Sequence, residues 1–506
     1  MSISSKVMRA LELNSEYYGV TRLQLMENAG RSVADMIRNR FHPPKKVILF
    51  CGLGGNGGDG FVAARHLLAQ GFEVEVVLAG KPLDISDSEA RANWNALQAL
   101  RGYLNVHEIH DSSLITDFKA DIVVDALLGI GLQGPPRPPI RQLIRKINSM
   151  KAFCIAVDVP TGIDSDSGKV FEEAVEADVT VTLHRAKPGL AKSKLAGKIM
   201  VTDIGLPKYY ERFAGPGDVH MIRKPRSPWA HKGDFGRLLV IGGSETFSGA
   251  PALVAMAAYR AGVDLVYVAA PAETAHAISS MSPDLITIKL EGKHVSPRNI
   301  PALRPYLEKS TAVVIGPGLG LHRETKQFVR EIIERLNAKK VPTLLDADGL
   351  KAFAEFEFKV KAPLILTPHP GEFKILTDHE PPLDIEARIS TTKEAATKIG
   401  AVILLKGHTD VISDGERVKL NFSGNPGMTV GGTGDILSGV VAAFLSQRVY
   451  PFEAAVAGAF VNGAAGDFVE SEKGYHMVAT DLLEWIPKVI EDPMSHIEVR
   501  KHYQEQ

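Results

Sequence analysis

Cysteine is scarce in this chain, with only Cys51 and Cys154 among 506 residues. Each thiol sits in an apolar run that has the character of a strand, where a free cysteine packs as a small hydrophobic residue. Two such thiols exclude a disulfide-stapled fold and favour a reducing compartment. We therefore expect the protein in the cytoplasm.

An excess of either charge is also missing. The 58 Lys and Arg residues balance 59 Asp and Glu residues, the formal net charge is −1, and the pI is near 7.0. No overall positive field attracts nucleic acid or anionic lipid, so we expect neither as a partner. The most apolar tract, residues 439–461, is interrupted by Gln447, Arg448, Pro451 and Glu453, and the N-terminus lacks the apolar core of a signal peptide. We therefore expect no membrane association.

What the chain does contain is an alternation of strands and helices. It is too long for one core. In the first half, the periodicity predicts helices over 21–40, about 60–70, about 86–100 and 140–149, and strands over 47–50, 74–79, 122–125, 153–157, 177–183 and 198–203. This order predicts a parallel sheet covered on both faces.

The periodicity fades between Gly205 and Pro228, where four prolines fall, and we place a domain boundary near residue 215. A second α/β alternation follows. It predicts strands over 238–241, 264–269, 311–315, 343–345, 364–366, 402–405, 411–413 and 417–420, and helices over 250–261, 436–446 and 452–469. The expected domains are thus 1–215 and 216–506.

Three polar, glycine-bearing loops follow predicted strands of the first half. The first is the decapeptide 51–60 (CGLGGNGGDG), with Asn56 and Asp59; the second begins at Asp125; the third contains Asp158 and Thr161. Ligands of open parallel sheets bind at the carboxyl ends of strands, so these loops predict one cleft. The alternative for the glycine loop is a tight strand–helix turn.

Within that cleft, the residue types predict two kinds of chemistry. Asn56, Asp125 and Thr161 offer the oxygen ligands that hard cations prefer, although Asp and Asn are also common in caps and turns. Asp158 stands directly at a strand tip, where a carboxyl group in a partly dry cleft is suited to moving protons.

These loops resemble the NAD(P)H-hydrate epimerase domain, whose glycine loop usually reads GPGNNGGDG; Leu53 and Gly55 replace the usual Pro and first Asn here. The resemblance implies a Rossmann-like parallel α/β sandwich, Asp158 as the acid/base, and a potassium ion held by Asn56, Asp125 and Thr161. It also implies epimerisation at the hydrated ring carbon. The implied substrate-binding residues are Gly55, Asn56, Gly57, Gly58, Asp59, Gly129, Ile130, Gly131, Leu132, Gln133, Gly134, Pro135 and Asp158.

The second half is organised around a glycine-rich stretch, residues 424–435 (GNPGMTVGGTGD), that runs into an apolar helix. The free N–H groups and the dipole at a helix start favour an anion. Asp435 beside such an anion site is suited to act as a general base for a hydroxyl group that attacks a phosphate. The alternative is a glycine-rich turn with Asp435 as the N-cap.

Other motifs of the second half follow strands in the same way. They are GGSETFSGA (242–250), GPGLG (316–320), HPGE (369–372) and LLKG (404–407), in which Lys406 at a strand end suits a phosphate. His369 is a lone histidine, and such residues often have a structural role. Together with GGTGD, the ordered set resembles the ribokinase-like superfamily and, within it, the nucleotide-dependent NAD(P)H-hydrate dehydratases.

This second resemblance implies a ribokinase-like α/β domain that uses ADP and Mg²⁺, with Asp435 activating the hydroxyl of the hydrate. Ala250, Gly318, His369 and Asp435 are the implied hydrate contacts. The implied nucleotide-binding residues are Lys406, Gly407, His408, Thr409, Asp410 and Gly434. The substrates would be hydrated NADH and NADPH, and we expect a homo-oligomer.

Two other functions fit parts of the same pattern. A small-molecule kinase of the ribokinase superfamily would share GGTGD, but it would not need the first domain. A nucleotide-sensing or partner-binding module, in which one half has lost catalysis, is kept open by Leu53 and Gly55.

Overall fold

The computed structural model describes residues 2–132 and 134–500, and the chain divides into two compact units, Met1–Tyr210 and Glu211–Gln506. The predicted boundary near residue 215 lies shortly after the end of the first unit. Gln133, one of the expected substrate contacts, lies outside the described residues. Within the described part of the chain, no helix is both long enough and apolar enough to span a membrane.

The first unit is a parallel sheet with helices on both faces. Its helices are α1 (Ser5–Tyr17), α2 (Arg22–Arg40), α3 (Gly55–Ala69), α4 (Ser88–Gln98) and α5 (Ile140–Ser149). Its strands are β1 (Lys46–Cys51), β2 (Glu73–Leu78), β3 (Asn105–Glu108), β4 (Ile122–Ala126), β5 (Phe153–Val157), β6 (Val179–Leu183) and β7 (Lys198–Thr202). Their order in the sheet is β3-β2-β1-β4-β5-β6-β7, with every described pairing parallel.

Alternation along the strands divides the core of this unit. On β1, Val47 and Leu49 join a cluster with residues of α2, α3 and α4, whereas Ile48 and Phe50 join a second cluster with residues of α5. This is the pattern of a sheet covered on both faces. The edge strand β3 was not predicted, because three of its four residues (Asn105–Glu108) are polar and all four are at least partly exposed.

The helix after β1 begins earlier than its composition indicates. The sequence predicts its start near Gly60, whereas α3 begins at Gly55, so the glycine run forms its first turns. Glycine disfavours helix interiors, but here close packing requires it: a Cβ at Gly57 would lie 2.0 Å from the Gly52 carbonyl oxygen, and one at Gly58 would lie 2.5 Å from the Met26 sulfur.

The second unit is a larger sheet of nine strands. Its helices are α6 (Pro216–Ile222), α7 (Gly249–Arg260), α8 (Ala272–Met281), α9 (Ile300–Leu307), α10 (Arg323–Lys339), α11 (Asp348–Phe353), α12 (Pro370–Thr377), α13 (Ile385–Ile399), α14 (Thr433–Ser446), α15 (Pro451–Lys473) and α16 (Trp485–Glu491). Its strands are β8 (Arg237–Ile241), β9 (Leu265–Pro271), β10 (Ile286–Leu290), β11 (Ala312–Ile315), β12 (Thr343–Leu345), β13 (Leu364–Leu366), β14 (Val402–Leu405), β15 (Asp410–Ser413) and β16 (Val418–Asn421).

The strand order of this sheet is β10-β9-β8-β11-β12-β13-β14-β15-β16, with an antiparallel hairpin, β15–β16, at one edge. The Gly- and Ala-rich helices pack closely, as the sequence predicts. A Cβ at Gly439 of α14 would lie 2.4 Å from the Val254 carbonyl oxygen of α7, and one at Gly458 of α15 would lie 2.5 Å from Cγ2 of Val441. This packing holds the middle of α14 against its neighbours.

Candidate active sites

In the first unit, the three predicted loops follow three strands that are neighbours in the sheet. β1, β4 and β5 are adjacent, and Phe50, Asp125 and Ala156 are in register across them. The carboxyl ends of the strands therefore deliver the loops to one edge of the sheet. The sequence expectation of a single cleft agrees with this topology.

Asp125 and Thr161 form a buried hydrogen-bonded pair at this edge. The backbone N–H and the hydroxyl of Thr161 each donate to the Asp125 carboxylate at 2.7 Å, and the Leu127 N–H donates to it at 3.2 Å. Both side chains are almost completely inaccessible to solvent. Burial raises the pKa of Asp125 to about 6, and the three donated hydrogen bonds limit that rise.

Asn56 lies in the first turn of α3 beside the second loop. Its Cγ lies 3.3 Å from the position that a Cβ would take at Gly129, so a side chain there would press against Asn56. Its buried Nδ2 has no hydrogen-bond partner among the described residues. An unsatisfied buried amide costs about 1–3 kcal/mol, and the amide rotated by half a turn would present its oxygen at the same place.

Asp158 stands at the end of β5 in the left-handed region, with φ 62°, which is uncommon outside glycine. It is 6% exposed and forms a buried ion pair with Lys187, which follows β6 and is 1% exposed. The Leu183 N–H donates to Asp158 at 3.0 Å, and the Thr182 hydroxyl donates at 3.1 Å. The neighbouring strand thus orients the carboxylate.

Two further carboxyl groups interact with Asp158 through space. Burial, and next the charge of Asp158, raise the pKa of Glu12 on α1 to about 7. Burial, with Asp158 and Glu12, also raises the pKa of Asp59 well above its usual value. Groups that hold protons near neutrality are those that proton-transfer sites use. Asp59 was an expected substrate contact, whereas Glu12 was not.

The remaining predicted contacts of this half lie in the loop between β4 and α5. The Ile130 carbonyl accepts a hydrogen bond from Arg9 of α1 at 3.1 Å, which ties the loop to that helix. Six residues of this loop were predicted as substrate contacts and are described by the structure: Gly129, Ile130, Gly131, Leu132, Gly134 and Pro135. Of these, Gly131 and Pro135 are exposed to solvent.

In the second unit, polar residues follow three adjacent strands. Asp346 follows β12, Thr367 follows β13, and Lys406 follows β14. The Asp346 carboxylate accepts from the Thr367 hydroxyl at 2.9 Å, from the Lys406 ammonium at 3.2 Å and from the Ser438 hydroxyl of α14 at 2.7 Å. Asp346 is 3% exposed and ties the sheet edge to the first turns of α14.

Asp435 lies in the first turn of α14, where Gly432 is the N-cap. The alternative that Asp435 caps the helix is therefore wrong: Gly432 has φ 99°, a conformation that favours glycine, and takes that position. Burial, and next the charge of Asp346, raise the pKa of Asp435 to about 7, while Lys406 opposes the rise. A half-buried carboxyl group that titrates near neutrality is matched to general-base work.

A pocket of about 420 Å³ opens beside this network, large enough for a nucleotide. The Lys406 ammonium lies 3.6 Å from the position of a Cβ at Gly434. Burial lowers the pKa of Lys406, but Asp346 and Glu372 more than offset it, so the pKa is raised overall. The lining comprises Lys406, Gly407, His408, Asp410, Ser423, Gly424, Asn425, Pro426, Met428, Thr429, Thr433, Gly434, Leu437, Ala459, Asn462 and Gly463.

The predicted nucleotide contacts fall into two groups. Lys406, Gly407, His408, Asp410 and Gly434 line the pocket, whereas Thr409 belongs to the same loop but not to the lining. Asp410 accepts from the Gly407 N–H and from Asn421, both at 3.0 Å, so it holds the loop in shape.

The predicted hydrate contacts are brought together in part. A Cβ at Gly318 would lie 3.6 Å from Cβ of Ala250, so these two residues are neighbours. His369 is exposed and is the N-cap of α12: its Nδ1 accepts from the Gly371 N–H at 3.0 Å, which leaves the proton on Nε2. The structural role that is common for lone histidines is thus present, and the Nε2 lies 3.3 Å from Oε1 of Glu372 in the same helix turn.

Sequence reasoning missed four residues of these sites: Glu12, Lys187, Asp346 and Asn462. Lys187 and Asp346 each follow a buried strand, the signal that identified Asp158 and Lys406. Asn462 lines the pocket from α15 and is 6% exposed, and its Oδ1 has no hydrogen-bond partner among the described residues. Glu12 and Asn462 lie inside helices, where no local signal distinguishes them.

Comparison with known proteins finds a match for each half of the chain. Residues 238–488 match the family model described as NAD(P)H-hydrate dehydratase, and residues 22–189 match that of the YjeF-related protein N-terminus. The chain is 45% identical over 500 residues to the bifunctional NAD(P)H-hydrate repair enzyme Nnr of Pyrobaculum aerophilum, covering 97% of this chain and 98% of that protein.

A second relative of the same printed name, from Hyperthermus butylicus, is 44% identical over 97% of this chain and 93% of its own length. A ribokinase-like superfamily protein of Enterococcus faecalis is 24% identical, with a TM-score of 0.50 over 55% of this chain and 95% of that chain, and supports the fold of the second unit. With both domain models matched in order and near-complete coverage by these relatives, the chain belongs to the family of bifunctional NAD(P)H-hydrate repair enzymes.

Proposed function

We propose that the chain repairs hydrated NADH and NADPH in two steps. The first domain (1–215) interconverts the R and S hydrates, and the second (216–506) dehydrates the S form, converting ADP to AMP and phosphate. The observation that carries the second step is Asp435, whose pKa of about 7 accompanies a position beside Lys406 and the nucleotide-sized pocket.

In the dehydratase step, Asp435 takes the proton from the ring hydroxyl of the hydrate. The hydroxyl oxygen forms a bond to the terminal phosphorus of ADP, and the bond between that phosphorus and AMP breaks. Loss of the new phosphate group, with a proton from the ring, then restores the dihydronicotinamide. Lys406 and the N–H groups at the start of α14 favour the negative charge of the transferring group.

Mg²⁺ bound with the nucleotide would neutralise phosphate charge. The chain itself positions the reactants: Ala250, Gly318 and His369 are proposed hydrate contacts, and Lys406, Gly407, His408, Thr409, Asp410 and Gly434 are proposed nucleotide contacts. Asn462 joins them as a buried amide whose unsatisfied oxygen a bound nucleotide would satisfy.

In the epimerase step, Asp158 is the proposed acid/base, with Lys187 holding its carboxylate in place. The Leu53 side chain lies beside Gly80, two residues after the end of β2. The proposed contacts of the hydrate are those of the glycine loop and of the loop after β4, together with Asp158.

Asn56, Asp125 and Thr161 are proposed to hold the potassium ion of the epimerase site. The donor set fits, since amide, carboxylate and hydroxyl oxygens suit hard cations. Within residues 2–132 and 134–500, no cationic side chain is ion-paired with the buried Asp125 carboxyl group. A bound cation would supply that missing positive charge, and the Asn56 amide, rotated by half a turn, would present its oxygen to the cation.

The direct test is to incubate the full chain with mixed hydrate epimers, with and without ADP and Mg²⁺, and to record absorbance in the reduced-nicotinamide band. We expect complete conversion of both epimers only when ADP is present, with AMP and phosphate formed in equal amounts. A stable phosphorylated product would instead identify a small-molecule kinase, and conversion of only one epimer would identify a first half without catalysis.

Replacing the buried carboxylate should weaken the response to potassium. We expect Asp125→Asn to raise the K⁺ concentration for half-maximal epimerisation by at least about tenfold, because a coordinating charge is lost. K⁺ should also raise the melting temperature of the wild type more than that of the variant. Epimerisation that is equally fast in K⁺ and in a large organic cation would contradict the assignment. The cytoplasmic location and the homo-oligomeric state stay predictions.

A further inference from the structure

Away from both candidate active sites, two histidines and a glutamate converge on the surface of the second unit. His294 lies in the segment after β10, His322 immediately precedes α10, and Glu324 lies in the first turn of that helix. Each offers one ligand atom, and these atoms all lie within 4.8 Å of one another. The His294 Nε2 is 2.8 Å from Glu324 Oε2, and the imidazole centroids are 3.8 Å apart with planes inclined by 33°.

A buried hydrogen bond joins the two backbone segments that carry this cluster. The Thr325 hydroxyl donates to the Val295 carbonyl at 2.9 Å, and both residues are fully buried. This bond links the residue after His294 to the residue after Glu324, so the two segments cannot separate freely. The Glu324 N–H donates to the His322 Nδ1 at 3.3 Å, which leaves the His322 Nε2 as the nitrogen available for a ligand.

His322 supplies a third donor to this cluster. An ion pair between His294 and Glu324 needs only one imidazole, but the ring of His322 lies against the ring of His294 and brings a third ligand atom within reach of the other two.

We propose that His294, His322 and Glu324 form a binding site for a divalent transition metal of the zinc class. Two imidazole nitrogens and one carboxylate oxygen match the ligands that Zn²⁺, Co²⁺ and Ni²⁺ take in three-residue sites, whereas Mg²⁺ and Ca²⁺ prefer oxygen alone. Because His322 is exposed and the other two are half-buried, water completes the coordination. The bound ion would fasten the start of α10 to the segment after β10.

The test uses the full chain freed of metal by a chelator, in the absence of nucleotide, with Co²⁺ as the probe. We expect one equivalent to bind with visible absorption bands of nitrogen and oxygen coordination, and Zn²⁺ to displace it. His294→Gln and Glu324→Gln should each weaken Co²⁺ binding by at least about tenfold. His276→Gln, which removes an exposed histidine of α8, should leave the spectrum unchanged.

A second measurement distinguishes a specific site from adventitious surface binding. One equivalent of Zn²⁺ should raise the melting temperature of the wild type and of His276→Gln, but not that of Glu324→Gln. A Co²⁺ spectrum that is equally strong in His294→Gln and Glu324→Gln, or one that appears only at large excess, would overturn the proposal. The three variants change surface groups, so their circular dichroism should match that of the wild type.

Discussion

We expect Asp435→Asn to lower kcat for dehydration by about a thousandfold while epimerisation by the same chain continues. A positioned general base contributes about 10²–10⁴-fold to a rate, and no other described carboxyl group of the second unit combines a pKa of about 7 with a place at the start of α14. The measurement is phosphate release from ADP in the presence of the hydrate, with epimer exchange followed in parallel.

The pH dependence of the dehydration rate should also report Asp435 as the base. Asp435 acts as a base only when it is deprotonated, so dehydration by the wild type should fall about tenfold per pH unit below its pKa of about 7. The residual activity of Asp435→Asn should lack that step. Dehydration that stays constant from pH 5 to pH 8 in the wild type would assign the proton transfer to another group.

The melting temperature of Asp435→Asn serves as a control for folding. Because burial raises the pKa of Asp435, its contribution to stability is largest at acidic pH and is lost as the pH rises through about 7. The neutral side chain of Asp435→Asn cannot become charged as the pH rises. The variant should therefore have a melting temperature at pH 8 that is no lower than that of the wild type. Near-normal turnover with ADP would show that the assigned base is wrong.

Asp158→Asn should have the opposite effect, with epimerisation abolished and dehydration of the S hydrate retained. It should also destabilise the first unit, because Lys187 would remain 1% exposed without a charged partner. Removing one member of a buried ion pair costs about 3–5 kcal/mol. Chemical denaturation and epimer exchange, measured on the same sample, report the two effects.

A double variant separates these contributions. Asp158→Asn combined with Lys187→Met removes the unpaired charge and should recover most of the lost stability, since an apolar replacement of a buried ion pair is often neutral. Epimerisation should stay absent. If the double variant regained the reaction, Asp158 would have a structural role and a neighbour such as Glu12 would move the proton.

Much of this architecture was predictable because parallel strands carry a strong local signal. The strands around Phe153, Thr343, Leu364 and Val402 have the predicted bounds, and the predicted residues lie at or just after the ends of β1, β4, β5 and β14, where the candidate sites are. In such sheets, a polar residue after a buried run is already close to the ligand edge. The local sequence therefore identifies Asp158 of the ion pair with Lys187, and Lys406 of the ion pair with Asp346.

The pairing of these residues with Lys187 and Asp346 was not predictable, because it depends on which strands are neighbours. Lys187 meets Asp158 only because β6 lies beside β5, and Asp346 meets Lys406 across β13. Glu12 reaches the cleft from a helix that precedes the sheet in the chain. The early start of α3 has a related cause, since the contact of Gly57 with Gly52 outweighs the low helix propensity of glycine.

The ammonium group of Lys406 faces both Asp346 and the pocket, and this arrangement links nucleotide affinity to protons. An incoming diphosphate competes with the carboxylates for the same cation and adds negative charge near Asp435. The acid would then hold its proton more tightly, so association near neutral pH should draw protons from the buffer. The heat of ADP association should accordingly vary with the ionisation enthalpy of the buffer.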